Sequence, residues 1–347
     1  MTLANPVRIV EGIMTYRLSR LVKSAPVSAL LFSLVLWLSA PVQAEPFRIV
    51  VLPDSQNAVD KFPEVFNATC DWIVANQQKL SIAYVLHVGD MVDRGTDERM
   101  WNNFDDGVSR LEKGRVPYIL AVGNHDFGKL EGGTNRLELF DRHFPVSRFS
   151  KSPGFGGNAP EGSNASSYHV FRAGGVNWLV VSLVFNPPDY ILDWANQVIE
   201  AHPNHSTIVL THSYLEHKGR DVSGERVWNK LVKQHENISM VVCGHLSTVN
   251  YVDKGDKGNT VYQMLFDWQN PTSAEMNSYC AVLELDPEKK TISVSAYSAK
   301  FDQYLEGARA KFEYKDVEFM KRPAAKKVAI PAPVAPPTPV PAEAPAK

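Results

Sequence analysis

Residues Phe47–Gln56 read FRIVVLPDSQ: a nearly unbroken apolar run, a proline, and then the polar trio Asp54-Ser55-Gln56. A strand with one face in water alternates apolar and polar residues. A run that is apolar throughout fits a strand covered on both faces. The proline closes the strand, because it has no N–H to give a neighbour. The pattern recurs in IAYVLHVGD (Ile82–Asp90), PYILAVGNHD (Pro117–Asp126), TIVLTH (Thr207–His212) and ISMVVCGH (Ile238–His245). Each run delivers an Asp, Asn or His at its C-terminal end. Taken singly, an Asp after a strand is an ordinary turn or helix-cap residue. Five runs that deliver metal-ligand types at the same end mark a site, because the carboxyl edge of α/β sheets is where ligands bind.

Helical spacing fills the gaps between these runs. Phe66, Cys70, Ile73 and Val74 recur as one helix face, as do Trp101, Phe104, Val108 and Leu111. Further helices are expected over Tyr190–Ala201 and Gly224–His235, and further strands over Tyr168–Phe171 and Asn177–Val184. Gly128–Ser167 is polar and Gly-rich and reads as a long loop able to border a substrate. The end of the core, Val249–Asp253, Thr260–Phe266, Tyr279–Leu285 and Thr291–Tyr297, reads as a β meander. The class is therefore mixed α/β, with sheets sandwiched between helices and an antiparallel C-terminal part.

The residue types at the five strand ends suit one chemistry. Two divalent or trivalent cations roughly 3.5–4 Å apart can clamp a phosphoryl group and hold a nucleophilic hydroxide between them. A carboxylate must bridge them, and Asp90 is the candidate. Neutral imidazoles and an amide oxygen fill the shells without repelling phosphate. That leaves His125 as the acid that protonates the departing oxygen, with Asp126 expected to fix its tautomer.

These motifs resemble those of the calcineurin-like metallophosphoesterase superfamily, which run Asp-x-His, Gly-Asp-x-x-Asp, Gly-Asn-His-Asp/Glu, a lone His, and Gly-His-x-His. The resemblance covers Arg48–Tyr297 and implies a four-layer sandwich and two metal ions drawn from Mn, Fe, Zn or Mg. It implies metal ligands Asp54, Gln56, Asp90, Asn124, His212 and His245, with Asn124 and His125 also facing the phosphoester substrate. Asp90–Gly95, DMVDRG, is similar to the protein serine/threonine phosphatase branch, which makes Arg94 a candidate phosphate contact; a solvated loop residue or a salt bridge to Asp93 is the other reading.

The chain departs from the family pattern twice. Gln56 stands where the first motif has His, as in an exported bacterial subgroup, and Ser247 stands where the last motif has its second His. In the family both histidines serve one metal. The second site (Asp90, Asn124, His212, His245) is thus complete, and the first keeps Asp54, Asp90 and Gln56. Asp267 or Gln269, ending the run VYQMLFDWQ, could reach the first site; the competing reading is a strand-end turn. The gap also motivates an alternative function, a non-catalytic metal-binding or scaffold protein.

Outside the core, a basic leader (Arg8, Arg17, Arg20, Lys23) precedes an apolar run of about 14 residues, short of the roughly 20 needed to cross a bilayer. Val42-Gln43-Ala44 then supplies small residues for cleavage after Ala44. Residues 1–44 are expected to be a signal peptide, 45–321 the catalytic domain, and 322–347, rich in Pro and Ala, a disordered tail. The mature protein is expected in a periplasm or outside the cell, with no stable membrane span. A formal charge of -2 with no basic stripe argues against a nucleic-acid partner. Cys70, Cys243 and Cys280 form no CxxC pair, so a thiolate zinc site is not expected.

Overall fold

The computed structural model describes residues 44–128 and 136–320. The expected signal peptide, apart from Ala44, and the expected disordered tail lie outside the described residues. In chain order the strands are β1 (Phe47–Leu52), β2 (Ile82–His87), β3 (Tyr118–Leu120), β4 (Phe155–Ala159), β5 (Ser166–Ala173), β6 (Val176–Ser182), β7 (Ser206–Leu210), β8 (Leu215–Glu216), β9 (Gly219–Arg220), β10 (Ile238–Cys243), β11 (Val249–Lys254), β12 (Thr260–Leu265), β13 (Tyr279–Asp286), β14 (Thr291–Ser298), β15 (Gln303–Tyr304) and β16 (Lys311–Tyr314).

Two mixed sheets carry almost all of them. The first runs β15-β14-β13-β1-β2-β3, with β16 also on β14; the second runs β11-β12-β10-β7-β6-β5-β4. β1, β2 and β3 are mutually parallel, as are β6, β7, β10 and β12. All the parallel strands in a sheet therefore end on one edge, which gathers the polar residues that follow them.

Side-chain alternation along β1 builds two cores from one apolar run. Ile49 and Val51 face the other sheet, where they join Leu86, Val180, Leu210 and Val242. Val50 and Leu52 face outward, where they join Phe66, Ile73, Trp101 and Phe104 from the helices Pro63–Asn76 and Glu98–Lys113. The helices Asp189–Ala201 and Val222–Lys230 cover the second sheet with Ile191, Trp194, Val198 and Val227. The result is helix, sheet, sheet, helix, the expected four-layer sandwich. The helix Glu98–Lys113 starts where the Asp97 side chain accepts from the Arg99 amide at 3.0 Å.

Two expectations need correction. Gly128–Ser167 is not one loop: its described part holds helices Glu138–His143 and Val146–Phe149 as well as β4. Phe140, Phe144 and Phe149 anchor those short helices in the core beside Trp101, so long-range packing rather than local periodicity forms them. Nor do the last strands form one meander. β11 and β12 close the second sheet, while β13 and β14 return to the first, where β13 lies antiparallel to β1. β15 and β16 lie beyond the region read as strand and extend the first sheet.

Candidate metal centre

The turns after β1, β2, β3, β7 and β10 converge on one edge, and they deliver donors rather than turn residues. Backbone at several of these turns sits in the left-handed region: Gly89 (φ 107°), Asp90 (φ 49°) and His245 (φ 79°). Asp90 and His245 are non-glycine residues held there, a form of strain that clusters at functional sites. Gly89 has a second requirement, since a Cβ would lie 2.7 Å from His212 Nδ1.

Asp90, His212 and His245 each place one ligand atom within 4.8 Å of the others. His212 is fully buried. Its Nδ1 donates to the Val88 carbonyl at 2.9 Å. The other ring nitrogen, Nε2, then faces Asp90 Oδ2 at 3.1 Å and Asn124 Oδ1 at 3.2 Å, both acceptors. A neutral ring with its one proton on Nδ1 has nothing to give them. Either a second proton or a cation must sit in that gap, and an imidazole whose far nitrogen is pinned to a carbonyl is the usual arrangement of a metal-binding histidine. Burial, followed by the neighbouring His212, pushes the His245 ring below the usual imidazole range, toward the neutral, ligating form.

A second group of donors lies beside the first. Asp54 is buried, and the His245 amide faces its two oxygens at 3.3 and 3.1 Å. Burial, then the facing carboxylates of Asp267 and Asp90, push the Asp54 carboxyl well above its usual range. Among the described residues, no Lys or Arg forms an ion pair with any of these three acids, and the Gln56 Oε1 is buried with no hydrogen-bond partner. Converging carboxylates without a cationic partner, beside an orphaned buried acceptor, are what bound metal ions would resolve. The residues fit the expected cofactor.

His125 takes a different place. Its side chain is 39% exposed, enough to meet a substrate. Its amide donates to Asp90 Oδ1 at 2.9 Å, and its Nδ1 donates to the Asp93 carbonyl at 2.9 Å, with Asp93 Oδ1 at 3.4 Å. Asp126, expected to orient this ring, does not. It is buried, and its oxygens accept from the amides of Gly123 (2.7 Å) and Val92 (3.1 Å), so it braces the turn instead. Arg94 also differs from the phosphate-contact reading: its guanidinium is paired with Asp93 (3.2 Å) and Asp97 (2.8 Å), the salt-bridge reading.

Other side chains around the centre are structural. His87 is buried and held neutral, lowered to about 3 by burial, with Nε2 donating to Ser55 Oγ at 2.9 Å. Arg220, close in sequence to His212, is committed to Gln263 and Asp253 at 2.9 Å each.

Phe185 and Asn57 near the centre carry no motif and escape sequence reading, and the motif residue Asp93 acts through an atom that its type does not announce. Phe185 packs against His212 and His245, at 6.0 and 5.9 Å between ring centres. Asn57 donates to Gln269 Oε1, which turns the Gln269 amide so that its Nε2 faces Asp54 Oδ2 at 3.4 Å and Asp267 Oδ2 at 3.3 Å. Asp93 holds His125 through its backbone, which no residue type announces. A cleft of about 750 Å³ opens beside Asn124, lined by Phe127, Arg136, Phe185, Tyr190 and Gly162 among others.

A family model described as calcineurin-like phosphoesterase matches residues 47–247. The uncharacterized protein YvnB of Bacillus subtilis (strain 168) is 32% identical over 266 residues, 74% of this chain and 20% of that protein. The chain thus spans about one-fifth of that relative's length. Among solved structures, purple acid phosphatase PPD1 from seeds of yellow lupin (Lupinus luteus) is 13% identical with a TM-score of 0.47, over 84% of this chain and 58% of that one. GAP50, the anchor in the inner membrane complex of Plasmodium, is 12% identical with a TM-score of 0.49, over 85% of this chain and 98% of that one.

Proposed function

The chain belongs to the calcineurin-like phosphoesterase family, and from that membership and the donor geometry we propose that it hydrolyses phosphomonoesters or phosphodiesters at a two-metal centre. The observation that carries this is the meeting of Asp90, His212 and His245 within 4.8 Å, with only acceptors facing His212 Nε2. Asp90, Asn124, His212 and His245 would hold one ion; Asp54, Gln56 and the shared Asp90 would hold the other. Bound there, metal ions supply Lewis-acid activation of the phosphoryl group and of the attacking water.

The chain's own groups do the rest. Asp90 would serve both ions; one of its oxygens accepts from the His125 amide and the other faces His212. His125 keeps its Nδ1 proton on the Asp93 carbonyl, so Nε2 is the atom that hands a proton to the departing oxygen. The organic part of the ester would lie in the cleft beside Asn124, against Phe127, Phe185 and Tyr190. Metal-binding without turnover is the alternative, favoured by Ser247, an exposed residue that stands where the family pattern has its second histidine. His125→Ala separates the two: turnover of an activated phosphoester falls by ~10²–10⁴-fold with metal content unchanged. Full activity in that variant would overturn the assignment of the acid.

We also propose that residues 45–321 form the catalytic domain of an exported protein. The leader sequence supports export, and the reach of the core from Phe47 to Phe319 supports the domain bounds. Among the described residues no helix is long and apolar enough to cross a membrane. N-terminal sequencing of the mature protein tests it; a start upstream of Ala44 counts against cleavage there.

A further inference from the structure

We propose that Asp267 replaces the missing histidine at position 247 as a ligand of the first metal, with Gln269 as its positioning residue, so that this ion is held by oxygen donors alone. The inference rests on the two-metal reading above and adds a ligand to it that the family motifs do not supply.

The hairpin register points to Asp267. β11 and β12 pair antiparallel with Val249 opposite Leu265 and Asn250 opposite Met264. Past Leu265 the pairing moves on by one residue, so that Thr248 meets Asp267: the Thr248 amide faces the Asp267 carbonyl at 3.3 Å, the Thr248 hydroxyl donates to it at 2.8 Å, and the Asp267 amide donates back to that hydroxyl at 2.9 Å. Asp267 is thereby tied to the residue next to Ser247, beside the position where the family has its second histidine. Ser247 itself is exposed and too short to replace an imidazole.

The carboxylate reaches the right neighbour. Gln269 Nε2 sits between Asp267 Oδ2 and Asp54 Oδ2, so both oxygens lie within reach of one amide group. Asn57 donates to Gln269 Oε1 and thereby fixes which end of the amide faces the acids. Gln269 presents N–H donors to the site and so cannot itself ligate. It gathers the two carboxylates. Beside them, Gln56 Oε1 is buried and without a partner. Asp54, Gln56, Asp90 and Asp267 make an all-oxygen set, which selects a hard ion such as Mn²⁺ or Mg²⁺ over Zn²⁺. The two histidines stay with the other ion, so the two sites differ in the metals they prefer.

One oxygen of Asp267 also accepts from the Gln269 amide at 2.8 Å, as a turn-forming Asp would. Asp267→Asn is the discriminating substitution, because asparagine keeps that turn and the side-chain shape and removes only the charge. The full chain is loaded with Mn²⁺ and dialysed. Bound metal is then counted by mass spectrometry, and the exchange-coupled Mn²⁺ pair is followed by electron paramagnetic resonance, with thermal melting as the folding control.

The wild type should carry two ions and the coupled signal. Asp267→Asn should keep one ion, lose the coupled signal, and show the weaker Mn²⁺ dissociation constant raised by ~100-fold. Adding Ser247→His to that variant should restore the second ion. Two ions and an intact coupled signal in Asp267→Asn would overturn the inference while leaving the hydrolase reading in place. A wild type with one ion would overturn it as well, and the hydrolase reading would then stand or fall separately on the His125→Ala assay.

Discussion

A methyl group at position 244 should disable the centre while leaving the fold intact. A Cβ on Gly244 would lie 2.2 Å from Asp54 Oδ1 and 2.6 Å from Val88 Cγ2. Carbon–heavy-atom contacts settle near 3.5 Å, so the Asp54 carboxylate must retreat by more than about 1 Å. It has little freedom to do so gently, because it is buried against the His245 amide and Gln269. A displacement of that size at a reacting centre costs ~100-fold in rate. Overpacking costs about 1–3 kcal/mol, less than the roughly 5–15 kcal/mol net stability of an ordinary domain. Gly244→Ala should therefore fold, melt a few degrees lower, lose its first-site ion, and hydrolyse an activated phosphoester about 100-fold more slowly. The assay pairs steady-state kinetics with metal analysis and a melting curve. Unchanged metal content together with unchanged turnover would show that Asp54 is not part of the working centre.

Three further outcomes follow from the structure. Because the Asp93 backbone carbonyl, rather than its carboxylate, takes the closer bond to His125 Nδ1, Asp93→Asn should lower kcat only ~10-fold. Asp126→Ala should instead cost stability, about 1–3 kcal/mol for each buried amide left without a partner, as read by urea titration; a large kcat loss with no stability change would reverse these roles. His169 is buried beside Tyr84, and burial lowers it to about 3, below its unfolded value. The unfolded chain therefore gains a proton that the folded chain refuses once the pH falls below about 6.5. Stability from this group is complete above that pH and falls by about 1.4 kcal/mol per unit toward acid. His169→Gln should flatten the stability–pH curve between pH 6.5 and 5 by up to about 2 kcal/mol. Parallel curves for the two proteins would contradict this.

The parts of the site legible in the sequence are those written locally. An apolar run followed by Asp, Asn or His announces both a buried parallel strand and the donor at its end, and β1, β2, β3, β7 and β10 all lie where those runs predict. Cover on two faces follows from the same runs, because they are apolar at every position; the four-layer order itself is what the family resemblance implies. What escaped reading depends on contacts between distant turns. Asp126 is adjacent to His125 in sequence but turns inward to cap amides, while Asp93, 32 residues away, supplies the carbonyl. Arg94 lies in a stretch similar to one that binds phosphate, yet three aspartates (Asp60, Asp93 and Asp97) surround it. The short helices after residue 136 have no periodicity long enough to register and exist because their phenylalanines dock on Trp101. β11 and β12 carry the strand pattern, but no local signal says which sheet they will join. The suggestion that Asp267 or Gln269 reaches the first site meets the geometry, with Gln269 Nε2 at 3.4 Å from Asp54 Oδ2.

The central claim is a centre in which two sets of donors hold two metals for phosphoester hydrolysis. The most direct measurement is the number of metal ions per chain, taken together with turnover of p-nitrophenyl phosphate before and after chelation. The account predicts two ions, turnover that disappears with the chelator, and recovery on adding Mn²⁺. One ion or none, with no turnover under any metal, would contradict it.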